Sequence, residues 1–125
     1  MPAHPLDGTT ICALSTPPGR GGVAVVRVSG PQAWPVVDGL CQGRLEGCPP
    51  GRAALRVLFD GDQPLDEALL LPFLGPKSFT GEDIVECHIH GSPFIAQRLM
   101  ECLVDAGCRP ALPGEFTQRA FLHGK

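Results

Sequence analysis

Glu82, Asp83 and Glu86 crowd the segment just after Gly81, and a β-branched run then leads into His88-Ile89-His90-Gly91. On a strand from Ile84 to His88, side chains alternate with a period of two, so Glu86 shares a face with Ile84 and His88. A carboxylate in such company is partly sheltered and needs a donor. Its two oxygens can accept parallel hydrogen bonds from an amidine-like edge of a ligand. Arg27 is the complementary oddity, a guanidinium inside the apolar run Val25, Val26, Val28. Its planar fork matches a carboxylate or the face of an aromatic heterocycle. Two bland readings stand beside these. Arg27 can be a snorkelling edge residue, or it can pair internally with Glu86, an arrangement tolerated but not strongly stabilising when buried.

Other candidates carry less. The loop Pro17 to Gly22 offers successive backbone N–H groups and Arg20 to an anion, or is simply a tight crossover. It lacks the Gly-Lys-Ser/Thr of a nucleotide phosphate loop, and Gly75-Pro76-Lys77-Ser78 fails the same pattern. Cys87, His88 and His90 lack the paired spacings of a zinc site. Cys87 and His88 also point to opposite faces of a strand, which makes them a poor nucleophile and base. Glu115, Arg119 and Lys125 lie on or beside the last helix, where composition alone leaves them on a solvated face. No catalytic residue and no metal ligand is assigned.

The elements that position these residues follow from local signals. Thr10 to Leu14 and Val23 to Val28 read as strands joined by the Gly-Pro loop. Ser29-Gly30-Pro31 places a cap and a proline before a short helix, Gln32 to Leu40, which Pro35 limits to its first turns. Residues 43–51 read as a surface connection. Arg52 to Phe59 and Glu67 to Phe73 form a hairpin about Asp60-Gly61-Asp62, since Asp-Gly supplies the positive φ angles of a tight turn. Ser92 and Pro93 cap a helix to Ala106, ended by Gly107, with Ile95, Leu99, Cys102, Leu103 and Ala106 on its apolar face. An extended piece, Cys108 to Leu112, precedes a last helix that begins near Pro113-Gly114-Glu115-Phe116 and is still running at Lys125, so the C-terminus reads as cut. The intermixed elements predict an α/β or α+β sandwich about a mixed sheet.

The totals agree with one domain. A chain of 125 residues buries roughly two-thirds of its unfolded surface. Hydrophobic residues at 43% and charged ones at 18% fit a soluble globular protein and exclude disorder. A formal net charge of -3 argues against gripping nucleic acid unaided, because clustered Lys and Arg dominate that binding. The beginning, Met1-Pro2-Ala3-His4-Pro5, is neither basic nor apolar, and no run of apolar residues is long enough to span a bilayer. The expected location is the cytoplasm, with no membrane contact and with the six cysteines as free, mostly buried thiols.

Three motifs occur in order: Thr16-Pro17-Pro18-Gly19-Arg20-Gly21-Gly22-Val23 with Val26-Arg27-Val28-Ser29-Gly30; Ser78 to Glu86 with His90-Gly91; and Pro113-Gly114-Glu115-Phe116-Thr117 with Arg119-Ala120-Phe121-Leu122. Together they resemble the N-terminal domain of the MnmE (TrmE) family, the tRNA-modification GTPases. The resemblance implies an α+β fold similar to folate-binding, aminomethyltransferase-like one-carbon domains, here as a single N-terminal domain over residues 1–125. It implies binding of 5-formyltetrahydrofolate or a related tetrahydrofolate near a homodimer interface, with contacts at Arg27, Glu86 and Lys125. Glu86 would accept from the pterin amino and ring N–H groups, and Arg27 and Lys125 would answer the polar or anionic parts. For the whole protein it implies GTP, magnesium and potassium in a separate G domain, a flavoprotein partner, MnmG (GidA), and modification of C5 of the wobble uridine in tRNA. The fragment alone is expected to be inactive. Thr9-Thr10, Ser92 and His123-Gly124 depart from the family's usual residues without touching those three contacts. The rival readings are a purely structural dimerisation module, a stand-alone one-carbon transferase and a metal-binding module.

Overall fold

The computed structural model describes residues 8–15 and 22–125. Among them, the strands are β1 (Ile11–Leu14), β2 (Val23–Ser29), β3 (Ala54–Asp60), β4 (Gln63–Phe73), β5 (Ile84–His90) and β6 (Arg109–Pro110). The helices are α1 (Ala33–Leu40), α2 (Pro93–Asp105) and α3 (Glu115–Leu122). The strands form one sheet in the order β3-β4-β5-β2-β1-β6. β1 and β6 are parallel and every other pair is antiparallel. The expected α+β architecture about a mixed sheet is therefore present.

Alternation along the central strands explains the layers. Ala24, Val26 and Val28 of β2, Val85, Cys87 and Ile89 of β5, and Ala68 and Leu70 of β4 are buried on one face. Register aligns them across strands, Val26 opposite Cys87 and Cys87 opposite Leu70. Ala33 and Val37 of α1 and Ala96, Leu99 and Leu103 of α2 complete this core. Burying each of its larger aliphatic side chains contributes about 1.5–3 kcal/mol. The other face presents Arg27 opposite Glu86 and Val25 opposite His88, and here Val23, Leu55 and Leu69 remain exposed.

Several local expectations change. Ser29 does not cap α1; that helix has no side-chain cap of its own at Gln32, whose N–H donates instead to Thr10 Oγ1 at 2.9 Å. Pro35 does not curtail α1, because it sits in the first turn, where a helical N–H has no partner to lose. The connection after α1 is not wholly superficial, since Leu45 is buried in the core. Asp38 Oδ1 holds it there by accepting from the N–H groups of Leu45 and Glu46, each at 2.9 Å. β4 begins at Gln63, earlier than the apolar pattern indicates, and a register shift in β3 between Leu58 and Phe59 accommodates it. Ser92 caps α2 as expected, accepting from Ile95 N–H, but Ala106 is exposed and Ala96 takes the inward position. The extended piece after α2 is in register with β1 at Arg109 and Pro110, and Ala111 N–H adds a bond to Cys12 O at 2.9 Å.

The last helix does not run to Lys125; it stops at Leu122. Lys125 N–H returns to Ala120 O at 2.8 Å and Gly124 N–H to Phe121 O at 3.0 Å, with Gly124 at φ 78°. These paired reverse bonds close the helix by satisfying its last carbonyls.

Candidate functional site

Glu86 is sheltered, as its place on β5 demands, and its donor is Arg27. The two residues are direct cross-strand partners on β2 and β5. Arg27 Nε lies 3.0 Å and its Nη2 2.9 Å from the same oxygen, Glu86 Oε2. The second oxygen, Oε1, meets His88 Nε2 at 3.2 Å. The internal ion pair weighed from sequence thus exists, but it leaves the carboxylate accessible: the side chains are 25% and 18% exposed. With two lone-pair positions on each oxygen, Glu86 retains room to accept from a ligand. Two aromatic rings flank the guanidinium, with Phe79 centred 5.3 Å and Phe116 5.9 Å from Arg27 Cζ. Rings at this range attract a cation through their faces. Phe79 is half exposed, so the charged pair and the two rings form one partly exposed cluster on this face of the sheet.

The segment between β4 and β5 supplies Phe79, and its carboxylates are all answered. Asp83 Oδ1 accepts from Gly75 N–H at 2.9 Å, while its backbone carbonyl accepts from Gly30 N–H at 2.9 Å. Ser78 Oγ donates to Glu82 O. Gly81 turns with φ 82°, and a Cβ there would lie 2.7 Å from His123 Cβ. Only glycine permits both that angle and that approach of the segment to the end of α3.

Lys125 reaches the same segment from the helix end. Its Nζ donates to Pro76 O at 2.8 Å and is exposed. Arg27 and Glu86 are brought together directly, whereas Lys125 is placed beyond Gly81 on the neighbouring part of the turn segment.

Glu115 and Arg119 contradict the solvated-face reading. They are 2% and 0% exposed. Arg119 Nη1 donates to Thr9 O at 2.7 Å and lies 3.1 Å from Glu82 Oε1, while its Nη2 meets Glu115 Oε2 at 3.3 Å. Arg109 closes the other side with two nitrogens, one 3.0 Å from Glu115 Oε1 and one 2.7 Å from Oε2. Leu112 N–H adds 2.9 Å to Oε1. Burial pushes the Glu115 carboxyl up, but Arg109, the Leu112 N–H and the charge of Arg119 together hold it below its ordinary range. Ser29 joins the cluster through Glu82 Oε1 at 2.9 Å and Thr80 Oγ1 at 2.8 Å. A helix charged along one face resembles a solvated one when only that helix is read. The i, i+4 spacing of Glu115 and Arg119 was the available signal.

The remaining candidates are structural. Cys87 faces the core, where burial pushes its thiol up to about 12, away from His88. His90 Nδ1 pairs with Asp66 Oδ1 at 2.7 Å, and its backbone N–H binds Oδ2 at 2.8 Å. All six cysteines are free and five are buried. Among the described residues no group of three His, Cys, Asp or Glu side chains is placed to hold a metal ion, and no helix is long and apolar enough to cross a membrane. Of the Pro17 to Gly22 loop weighed for anion binding, residues 17–21, Arg20 among them, lie outside the described residues.

Comparison with known proteins gives one consistent result. A family model described as "GTP-binding protein TrmE N-terminus" matches residues 10–125. Proteins named tRNA modification GTPase MnmE are similar at 53% identity in Alkalilimnicola ehrlichii, over 94% of this chain and 26% of the relative. The corresponding figures are 52%, 93% and 27% for Paracoccus denitrificans, and 47%, 96% and 27% for Chlamydia caviae. The chain thus spans about a quarter of the length of these curated relatives.

Proposed function

The chain belongs to the MnmE (TrmE) N-terminal family, and on that premise we propose that it is the tetrahydrofolate-binding and homodimerising domain of a tRNA-modifying GTPase. The observation that carries the ligand reading is the Arg27–Glu86 pair, set in register on the open sheet face beneath Phe79 and Phe116. A reduced pterin has an amino group and ring N–H donors along one edge and an apolar face. Glu86, oriented by Arg27 and His88, accepts from that edge. The two phenylalanines supply apolar surface for its face. Lys125 and Arg27 answer the ligand's carbonyl and carboxylate oxygens. In the whole protein, GTP with magnesium and potassium, tRNA and the MnmG (GidA) flavoprotein act through other segments, and the product is a wobble uridine modified at C5. On this reading the domain works in the cytoplasm and belongs to the folate-binding one-carbon architecture.

Calorimetric titration with 5-formyltetrahydrofolate tests the ligand role. Saturable binding is expected, and Glu86→Gln, which keeps shape but halves the accepting capacity, is expected to weaken it about tenfold, in line with a charge-assisted hydrogen bond of roughly 1.5 kcal/mol. Equal affinity in the folded variant rejects the pterin-edge role. Light scattering tests the association: a mass of two chains at micromolar concentration is expected, and a monomer throughout overturns the dimer. A dimer without ligand binding selects the purely structural rival.

A further inference from the structure

We infer that Glu82 and Arg119 are positioning residues for the cradle: their buried ion pair fixes the height of the segment bearing Phe79 over the Arg27–Glu86 pair. This inference rests on the ligand reading above for its functional consequence. Its structural basis is separate.

Arg27 is fixed by β2, whose backbone is paired on both sides. The rings above it are not held by the sheet. Phe116 belongs to α3 and Phe79 to the turn segment between β4 and β5, and these two elements are joined to each other and to β2 through one cluster. Arg119, fully buried, stands at its centre and lies 3.1 Å and 3.2 Å from the two oxygens of Glu82. Glu82 Oε1 is also reached by Ser29 Oγ, two positions along β2 from Arg27 on the same face. Thr80, next to Phe79, meets the same hydroxyl and is itself fully buried. Glu115, next to Phe116, meets Arg119 from the helix side. Each ring above Arg27 is therefore the sequence neighbour of a residue bonded into the cluster.

The chemistry explains why this arrangement sets distance and not merely stability. Paired charges with no water between them have steep distance dependence, and a guanidinium fork restricts angle as well as separation. Removing the charge of Glu82 leaves a buried guanidinium with one fewer acceptor, so the segment must shift or admit water. Phe79 then loses its place over Arg27, while neither Glu82 nor Arg119 has touched the ligand. Reaction geometry is sensitive to ångström-scale displacement of such supports.

The experiment compares wild type with Glu82→Gln, Ser29→Ala and, as a control, Arg98→Gln. Arg98 forms a closer and more exposed ion pair with Asp60, at the β3–β4 turn and away from the cradle. Each variant is first checked for cooperative unfolding above the assay temperature. Two readouts follow. Amide hydrogen exchange is measured at Gly81 and Glu82, whose N–H groups bond within the segment to Ser78 O and Thr80 Oγ1. Affinity for 5-formyltetrahydrofolate is measured by calorimetry. Glu82→Gln is expected to raise exchange at those amides at least tenfold and weaken binding about tenfold, Ser29→Ala about threefold in each, and Arg98→Gln to change neither beyond twofold. Unchanged exchange in both Glu82→Gln and Ser29→Ala overturns the positioning role whatever the ligand does, as does an equal loss in Arg98→Gln. Should Glu82→Gln fail to fold, Ser29→Ala decides alone. A wild type that does not bind rejects the ligand reading, and the exchange measurement still judges the latch.

Discussion

At the scale of single residues, environment and not identity separates the reactive groups from the inert ones. Arg27 and Arg119 are both guanidiniums paired with glutamates, yet one is a quarter exposed beneath two rings and the other is fully buried. Only the first can meet a ligand. The cysteines divide the same way. Cys87 is buried with its thiol pushed up to about 12 by desolvation and by neighbouring charge, while Cys48 alone is partly exposed. Because the thiolate is the nucleophile, iodoacetamide at mildly alkaline pH is expected to alkylate Cys48 at least a hundredfold faster than Cys87 in the native protein. Peptide mass spectrometry over a time course measures this, and comparable rates would show that the core opens far more readily than its packing indicates. Glu115 is the third case. Its carboxyl is held below the ordinary range, so the unfolded chain binds a proton at a pH where the folded chain does not. Stability from this group is complete above the unfolded pKa and disappears as pH falls through the folded one. The gap in unfolding free energy between wild type and Glu115→Gln is therefore expected to stay constant from about pH 7 to about pH 5 and to narrow below that toward about pH 3. Denaturant titrations across that range check it, and a gap constant throughout would mean that the ionised form carries no special weight.

At the scale of elements, the three helices among the described residues end alike. A residue with positive φ follows the cap, at Gln42, Gly107 and Gly124, and the following N–H reaches back to a carbonyl in the last turn: Gly43 to Asp38, Cys108 to Leu103, Lys125 to Ala120. Two positions hold the residue that tolerates the conformation; the one after α1 does not, since Gln42 sits at φ 58°. A left-handed residue with a Cβ costs about 1–2 kcal/mol, partly offset in glycine by about 0.4–1 kcal/mol of added chain entropy. Gln42→Gly is thus expected to raise the unfolding free energy by up to about 1 kcal/mol, as a higher Tm in a thermal melt. A lower Tm would mean that the Gln42 side chain contributes contacts that outweigh the strain. The α3 end has a functional consequence as well, because its closing bonds hold Lys125, one of the three proposed ligand contacts, against the turn segment that carries Phe79.

At the scale of the molecule, the sheet is asymmetric. One face is sealed by α1 and α2 over an aliphatic core. The other is covered at one end by α3 and the turn segment, through buried ion pairs, and is open at the end carrying Val23, Leu55 and Leu69. A cover held by charges and hydrogen bonds is specific in geometry, whereas aliphatic contact would let it slide. That division places the aliphatic scaffold on one side and the proposed ligand surface on the other.

Much of this was legible in the residues themselves. The period of two in β2 and β5, the Asp-Gly hairpin and the Ser-Pro start of α2 are local signals, and each depends on interactions within a few residues. Arg27 and Glu86 stood out because each is charged where its strand should be apolar. The cluster of Glu82, Glu115, Arg119 and Arg109 was not legible, nor were the two rings above Arg27, the end of α3 at Leu122 or the burial of Leu45. Sequence fixes which groups carry charge and which backbone shapes they favour. Whether a charge is solvated or sealed depends on what distant segment packs over it, and that long-range partnership, Glu82 with Arg119 across 37 positions, is decided only when the chain closes on itself.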